Sequence, residues 1–163
     1  MKRKQNIYLD TSVISYLDQP ERGELFIDTH RLWERIKAGE FEVVISNVVE
    51  TEIRDCDERK RDILNGYLDE IDHITTKIDR RTVEVASRFV DLSILKKKSF
   101  SDCLHIAAAI VSGCDVIVSW NFGHIVNHKT MMGVKAVTAL EGYDDLLIYT
   151  PSTLVGGEDD DTL

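Results

Sequence analysis

Short apolar runs alternate along the chain with longer segments in which apolar positions recur at helical spacing. The runs predict strands because they are short and rich in β-branched side chains; they cover residues 7–10, 41–46, 73–76 and 114–119. The periodic segments predict helices and cover residues 24–37, 48–54, 59–71, 81–95 and 101–112. Strands separated by helices are typical of βαβ units, so the pattern predicts an α/β fold with a parallel sheet covered on both faces.

The C-terminal part of the chain has a weaker pattern. Residues 134–137 are interpreted as the last strand of the core, and residues 146–149 also have strand character. After Pro151 the chain becomes polar and acidic, and we expect disorder there. The sequence therefore predicts one domain over residues 1–150 and an acidic, disordered tail over residues 151–163.

Composition places the chain among ordinary globular proteins. Its 163 residues are 43% apolar and 30% charged, enough for one domain with its own core. The longest apolar run, residues 106–111, is too short to cross a membrane, and residues 1–6 lack the apolar stretch of a signal peptide. The three cysteines (Cys56, Cys103 and Cys114) show no metal-binding spacing. We therefore expect reduced thiols in a cytoplasmic protein without a membrane anchor.

The charge of the chain bears on its partners. The formal net charge is −9, which argues against nonspecific coating of nucleic acid. The charge is unevenly placed, however, because residues 158–161 supply four negative charges to the tail. Acids that surround a metal ion would also act differently from free surface acids. The negative net charge thus argues against nucleic-acid binding without excluding it.

Four polar side chains fall near the predicted carboxyl ends of strands. Asp10 ends the first strand and Asn121 follows the strand at 114–119, while Glu52 and Asp102 lie in the first turns of helices. The carboxyl edge of a parallel sheet is where α/β proteins bind ligands. Carboxylate and amide oxygens are the ligands that Mg²⁺ and Mn²⁺ prefer. The sequence predicts that these four residues form one metal site.

Each of the four residues also has a purely structural interpretation. Asp10 could cap the following helix, although Ser12 could fill that role alone. Glu52 could be an exposed helix acid, and Asp102 could complete a capping box with Ser99. Asn121 could be an ordinary turn residue.

Four sequence runs, taken in order, resemble the motifs of the PIN domain family. They are IYLDTSVISYL at 7–17, ISNVVETEI at 45–53, FSDCLHIAAA at 100–109 and VIVSWNFGH at 116–124. The resemblance extends from about residue 6 to residue 137. It matches the family's acidic positions to Asp10, Glu52 and Asp102, and its fourth, acidic or amide position to Asn121.

The resemblance implies a fold and an activity. The fold would be a three-layer α/β/α sandwich with a parallel sheet of four to five strands in the order 3-2-1-4-5. The activity would be that of a metal-dependent endoribonuclease similar to VapC toxins, which leaves a 5′-phosphate and a 3′-hydroxyl. It further implies RNA as substrate, an antitoxin protein as partner, and a homodimer.

The resemblance also implies roles for individual residues. Asp10, Glu52 and Asp102 would hold one Mg²⁺ or Mn²⁺, with Asn121 as a neutral ligand, so that a bound water attacks the scissile phosphate. The hydroxyls of Thr11 and Ser12 would steady that water or Asp10. Many family members carry an acid around the position of Asn121, so the resemblance leaves this chain three carboxylates for metal binding.

Two other classes of function stay open at this stage. A PIN-like binding module with a weakened site would act through protein contacts, and Asn121 favours it. A phosphatase with Asp10 as nucleophile would require a second acid two residues later, where this chain has Ser12. A dinucleotide-binding fold is excluded because no GxGxxG follows the first strand.

Several nearby residues are given structural interpretations. His105 is expected to pack in the core or at its rim, His124 to lie in a loop, and Trp120 to pack beside its strand. The lysines at 96–98 could bind phosphates but are interpreted as a solvated helix end. Asp115 begins its strand and is placed at the opposite edge of the sheet.

Overall fold

Five parallel strands form the centre of the fold in the computed structural model, which describes residues 3–156. The spatial order of the strands is β3-β2-β1-β4-β5, as the resemblance implied. The strands are β1 (Gln5–Leu9), β2 (Phe41–Ser46), β3 (Ile74–Thr76), β4 (Val116–Val118) and β5 (Leu147–Tyr149). Because all neighbours are parallel, the carboxyl ends of all five strands meet at one edge.

Eight α-helices cover the sheet in the described part of the chain. They are α1 (Thr11–Tyr16), α2 (Glu24–Lys37), α3 (Asn47–Arg54), α4 (Glu58–Asp69), α5 (Arg80–Asp91), α6 (Phe100–Val111), α7 (His128–Glu141) and α8 (Pro151–Gly156). Single 3-10 turns lie at Pro20–Arg22 and Lys97–Ser99.

The core is divided by the sheet into two halves. Successive residues of a strand face opposite sides, so Ile7 and Leu9 join one apolar cluster while Tyr8 joins the other. The first cluster includes Trp33 of α2, and the second includes Ile106 of α6. Both layers are needed to cover the sheet, which confirms the three-layer α/β/α sandwich.

The expectation that residues 134–137 form the last strand of the core was wrong. Residues 134–137 lie within α7 rather than in a strand, and Val134 and Val137 point into the core at helical spacing. A short apolar run does not distinguish a buried strand from a buried helix face. The last core strand is β5, within the segment 146–149 that also showed strand character.

The expected disorder after Pro151 does not begin there. Residues Pro151–Gly156 form helix α8, in which Pro151 and Val155 are buried. The Arg35 Nη1 group of α2 donates a hydrogen bond of 2.8 Å to the carbonyl oxygen of Leu154. The remainder of the predicted tail, residues 157–163, lies outside the described residues.

Helix α5 is shorter than its sequence pattern predicts. It ends at Asp91 rather than at residue 95, and Ser93 follows with a positive φ of 58°. The backbone N–H groups of Ile94 and Leu95 both bond to the carbonyl oxygen of Phe89, which turns the chain back. This turn leads into the segment that precedes α6.

No helix among residues 3–156 is long and apolar enough to cross a membrane.

Candidate active site

Asp10 lies at the carboxyl end of β1 with 3% of its surface exposed. Its Oδ1 atom accepts hydrogen bonds from Ser12 Oγ (2.6 Å) and from the backbone N–H of Val13 (3.3 Å). Its Oδ2 atom accepts a bond of 2.5 Å from Ser119 Oγ, just beyond β4. Burial raises the pKa of Asp10 above its ordinary value, because the charge of His105 and these bonds offset only part of the desolvation cost.

Glu52 is held by side chains from two other elements. Its Oε1 atom accepts hydrogen bonds from Thr11 Oγ1 of α1 (2.9 Å) and from His105 Nε2 of α6 (2.5 Å). Burial opposes ionisation, but the bonds and charge of His105, with the Thr11 bond, place the pKa of Glu52 below its ordinary value. Glu52 is therefore ionised at neutral pH and oriented at the site.

His105 continues this network into the core. Its Nδ1 atom lies 2.7 Å from the Tyr8 hydroxyl, which lies 2.8 Å from Ser46 Oγ. These contacts join Ser46, Tyr8, His105 and Glu52 in one continuous hydrogen-bonded chain. His105 is buried as expected. Its two ring nitrogens also connect Glu52 at the site to Tyr8 in the core.

Asp102 and Asn121 are in direct contact. Asn121 Nδ2 donates to Asp102 Oδ1 (3.2 Å), and His124 Nδ1 lies 2.8 Å from Asp102 Oδ2. The backbone N–H of His124 donates to Asn121 Oδ1 at 3.0 Å. These bonds tie the first turn of α6 to the segment that follows β4.

Hydroxyl groups connect Asp10 to that same segment. Ser119 Oγ bonds to Asp10 and also accepts from the backbone N–H of Asn121 (2.9 Å). Ser12 Oγ bonds to Asp10 and accepts from the backbone N–H of Trp120 (2.9 Å). Asp10, Asp102 and Asn121 thus belong to one hydrogen-bonded edge, and Thr11 brings Glu52 to it.

The capping role considered for Asp10 is observed, whereas the one considered for Asp102 is not. Asp10 does cap α1, and Ser12 supports it rather than replacing it. The capping box expected of Ser99 and Asp102 does not form, because Ser99 makes no side-chain cap bond and Asp102 bonds to Asn121 and His124. Capping and a role at the edge are therefore compatible for Asp10, whereas Asp102 has no capping function.

The arrangement supplies oxygen donors of the kind that hard cations prefer. Within residues 3–156, no group of three or more His, Cys, Asp or Glu side chains is arranged to hold a metal ion. The carboxylates instead bond individually to hydroxyl, amide and imidazole groups. Asp10 forms no ion pair in this part of the chain, so its buried charge favours a nearby cation.

Ser119, Tyr8 and His105 were not predicted as members of the site. Ser119 is the last residue of the predicted strand at 114–119. A hydroxyl at the carboxyl end of a strand could have indicated that it belongs to the site. The contact of His105 with Glu52 joins residues that are far apart in sequence, so no local pattern reveals it. His124 lies in a loop as expected, yet it also contacts Asp102.

Asp115 and Trp120 have the structural positions that the sequence predicted for them. Asp115 lies at the opposite edge, where it accepts from Arg3 Nη2 and from the backbone N–H of Asn6, each at 2.8 Å. Trp120 is buried, stacks on Tyr16 and donates to Thr29 Oγ1 at 2.8 Å.

Two solved structures share this fold. The structure of VapBC2 from Rickettsia felis, bound to a DNA fragment from its promoter, matches with a TM-score of 0.57 and 12% identity, covering 90% of this chain and 98% of that chain. VapC20 of Mycobacterium tuberculosis, described as a toxin that cleaves the sarcin–ricin loop, matches with a TM-score of 0.52 and 19% identity, covering 75% of this chain and 98% of that chain. At such identities the likeness establishes the fold.

No curated protein matches this sequence significantly. The model of the PIN domain family, in contrast, matches residues 7–121, which include all four candidate site residues. On this match over most of the chain, together with the strand order and the fold, the protein belongs to the PIN domain family.

Proposed function

We propose that this protein is a metal-dependent endoribonuclease that hydrolyses RNA phosphodiester bonds. The observation that carries the proposal is the convergence of Asp10, Glu52 and Asp102 at the carboxyl edge of the sheet, in a chain of the PIN family. Asn121 lies beside Asp102, to which its Nδ2 atom donates, while its Oδ1 atom accepts from the backbone N–H of His124. Carboxylates at one edge would repel one another and a phosphate unless a cation were present.

Asp10, Glu52 and Asp102 would hold Mg²⁺ or Mn²⁺, with Asn121 as a neutral ligand. When bound, such an ion lowers the pKa of water and neutralises charge on the phosphate. The hydroxyls of Ser12 and Ser119 orient the Asp10 carboxylate.

The remaining contacts set the position of the other two carboxylates. Thr11 and His105 fix Oε1 of Glu52, while His124 and Asn121 fix the two oxygens of Asp102. Fixed acceptors reduce the reorganisation needed when an RNA strand binds.

The test is cleavage of labelled single-stranded RNA and transfer RNA in Mn²⁺, in Mg²⁺ and in EDTA. We expect cleavage with either metal, none in EDTA, and products with a 5′-phosphate. Asp10→Asn should lower the rate by about 10³-fold or more, since it removes a charged oxygen from the site. Asp115→Asn is the matched control, because this carboxylate lies at the opposite edge, and it should cleave like the unaltered protein.

A second readout separates metal binding from catalysis. Mn²⁺ should raise the melting temperature of the unaltered protein by mass action, and it should have less effect on Asp10→Asn. A folded protein that neither cleaves RNA nor responds to Mn²⁺ would contradict the proposal. It would favour the alternative, a PIN-fold binding module, which is supported by Asn121 and by the lack of a carboxylate–histidine metal cluster in residues 3–156.

We further propose that the chain is the toxin of a toxin–antitoxin pair, acting in the cytoplasm as a homodimer. The likeness to VapBC2 and to VapC20 supports this proposal. Co-expression with the product of a neighbouring small reading frame should give a complex in which RNA cleavage is suppressed. Light scattering of the purified chain measures its oligomeric state.

A further inference from the structure

Beside the candidate active site is a second feature, a cavity of about 240 Å³. It lies between the 3-10 turn before α6 and the segment that joins β4 to α7. Its polar lining comes from these two segments and from the first turn of α7, and it includes Lys96, Lys98, Ser99, His124, Asn127, Lys129 and Thr130. We refer to it as the lysine cavity.

The charge of the lysine cavity is opposite to that of the whole chain. Three lysines line it, and no aspartate or glutamate is among its described lining residues. Lys96, Lys98 and Lys129 are exposed and form no ion pair within residues 3–156. Lys4, Lys37 and Lys135, which lie outside the cavity, each pair with an acid. In a chain of net charge −9, three unpaired cations around one concave surface favour an anionic ligand.

The lysine cavity is continuous with the candidate active site. His124 lines it, and the Nδ1 atom of the same residue lies 2.8 Å from Asp102 Oδ2. Lys98 and Ser99 directly precede α6, whose first turn carries Asp102. Because the cavity and the candidate active site share His124, one RNA strand could contact both.

The lining also favours phosphate over carboxylate as the anionic group. Lysine acts as a mobile point charge that suits phosphate oxygens, whereas carboxylates are best recognised by the planar fork of arginine. No arginine lines the cavity in the described residues. The hydroxyls of Ser99 and Thr130 do not select a base, so recognition there would be of the RNA backbone.

We propose that the lysine cavity binds a backbone phosphate of the RNA next to the cleaved bond, and so holds the substrate strand in register. This inference rests on the proposed ribonuclease function. The site would contribute to affinity for RNA rather than to the chemical step.

The test measures RNA binding in EDTA, where cleavage does not occur. The triple variant Lys96→Gln, Lys98→Gln, Lys129→Gln is compared with a control of equal charge, Lys4→Gln, Lys37→Gln, Lys135→Gln. The binding constant of a labelled single-stranded RNA is determined by fluorescence anisotropy across a range of salt concentrations.

We expect the cavity variant to bind RNA at least about ten-fold more weakly than the unaltered protein at low salt. Its slope of log K against log salt should become shallower by about 0.7, since one phosphate contact on a single strand contributes about that amount. The control variant should keep both values. In Mn²⁺, the cavity variant should show a raised KM with an unchanged kcat.

Three results would overturn the inference: a cavity variant that binds RNA like the unaltered protein, a control that loses as much affinity, or unaltered protein that does not bind RNA at low salt. An equal loss of binding to polyglutamate would show a general anion surface and would also overturn it. Failure of the ribonuclease proposal is distinct, because it appears as absent metal-dependent cleavage while RNA binding in EDTA persists.

Discussion

Asp10 carries a carboxylate where water does not solvate it. Its partners in the described chain are hydroxyl and backbone N–H groups rather than cations, and burial raises its pKa. Such a charge lowers the stability of the metal-free protein. A buried acid that opposes folding, yet is surrounded by donors from α1 and from the residue that follows β4, is typical of functional sites.

Neutralising Asp10 should therefore stabilise the protein in EDTA. We expect Asp10→Asn to raise the free energy of unfolding at neutral pH, measured by urea titration. Because the pKa of Asp10 is higher in the folded than in the unfolded chain, the native state binds the proton more tightly. The penalty is complete above the folded-state pKa and disappears below the unfolded-state value, so the advantage of the variant should shrink as the pH falls. An advantage that is constant with pH would contradict this explanation.

The Tyr8 hydroxyl is another buried group with a defined purpose, since it connects Ser46 to His105. Tyr8→Phe leaves two buried polar atoms without this partner and should lower the free energy of unfolding by about 1–3 kcal/mol. Tyr67→Phe is the control, because the Tyr67 hydroxyl makes no hydrogen bond within residues 3–156. Equal stability of the two variants in urea would show that the network contributes nothing.

His105→Ala tests whether the same network positions Glu52. Removal of the imidazole frees Glu52 from its shortest hydrogen bond and should lower kcat by about 10-fold or more, if orientation limits the reaction. His105→Gln, which can restore a donor to Glu52, should recover part of kcat. A loss of stability in both variants with unchanged kcat would indicate a purely structural role.

At the scale of elements, α7 packs closely on the turn that ends α5. A Cβ atom added at Gly133 would lie 2.6–2.9 Å from three side-chain carbons of Ile94, so only glycine fits without displacement. Overpacking of this kind costs about 1–3 kcal/mol, which exceeds the gain of about 1 kcal/mol from replacing a helical glycine by alanine.

We therefore expect Gly133→Ala to lower the free energy of unfolding in urea, despite its higher helix propensity. The control is Gly66→Ala in α4, where a Cβ would meet nothing within 4 Å, and it should stabilise by about 0.5–1 kcal/mol. Combining Gly133→Ala with Ile94→Ala should cost less than the sum of the single changes. Strict additivity would show that Ile94 is not the cause.

At the scale of the whole molecule, the domain extends through α8. Pro151 and Val155 are buried, and α2 bonds to the backbone of α8. Ending the chain after Thr150 should lower the free energy of unfolding by at least about 1.5–3 kcal/mol, the contribution of one buried aliphatic side chain. Ending it after Gly156 should not. Equal stability of the two truncated chains in urea would show that the domain ends at residue 150, as the sequence predicted.

The sequence by itself determined the local elements and the order in which they occur. Helix α2 at Glu24–Lys37 and strand β2 at Phe41–Ser46 have the predicted bounds, because periodicity and β-branched content act within a few residues. The four motif residues were also assigned to one sheet edge from sequence. A parallel sheet brings all strand ends to that edge.

Only the tertiary structure decided how those residues are bonded. Whether residues 134–137 form a strand or a helix depended on what they pack against. Asp102 contacts Asn121 and His124 instead of completing a capping box. The contact of Glu52 with His105 joins α3 to α6. Such contacts depend on the packing of elements far apart in sequence, and no local pattern encodes the geometry of that packing.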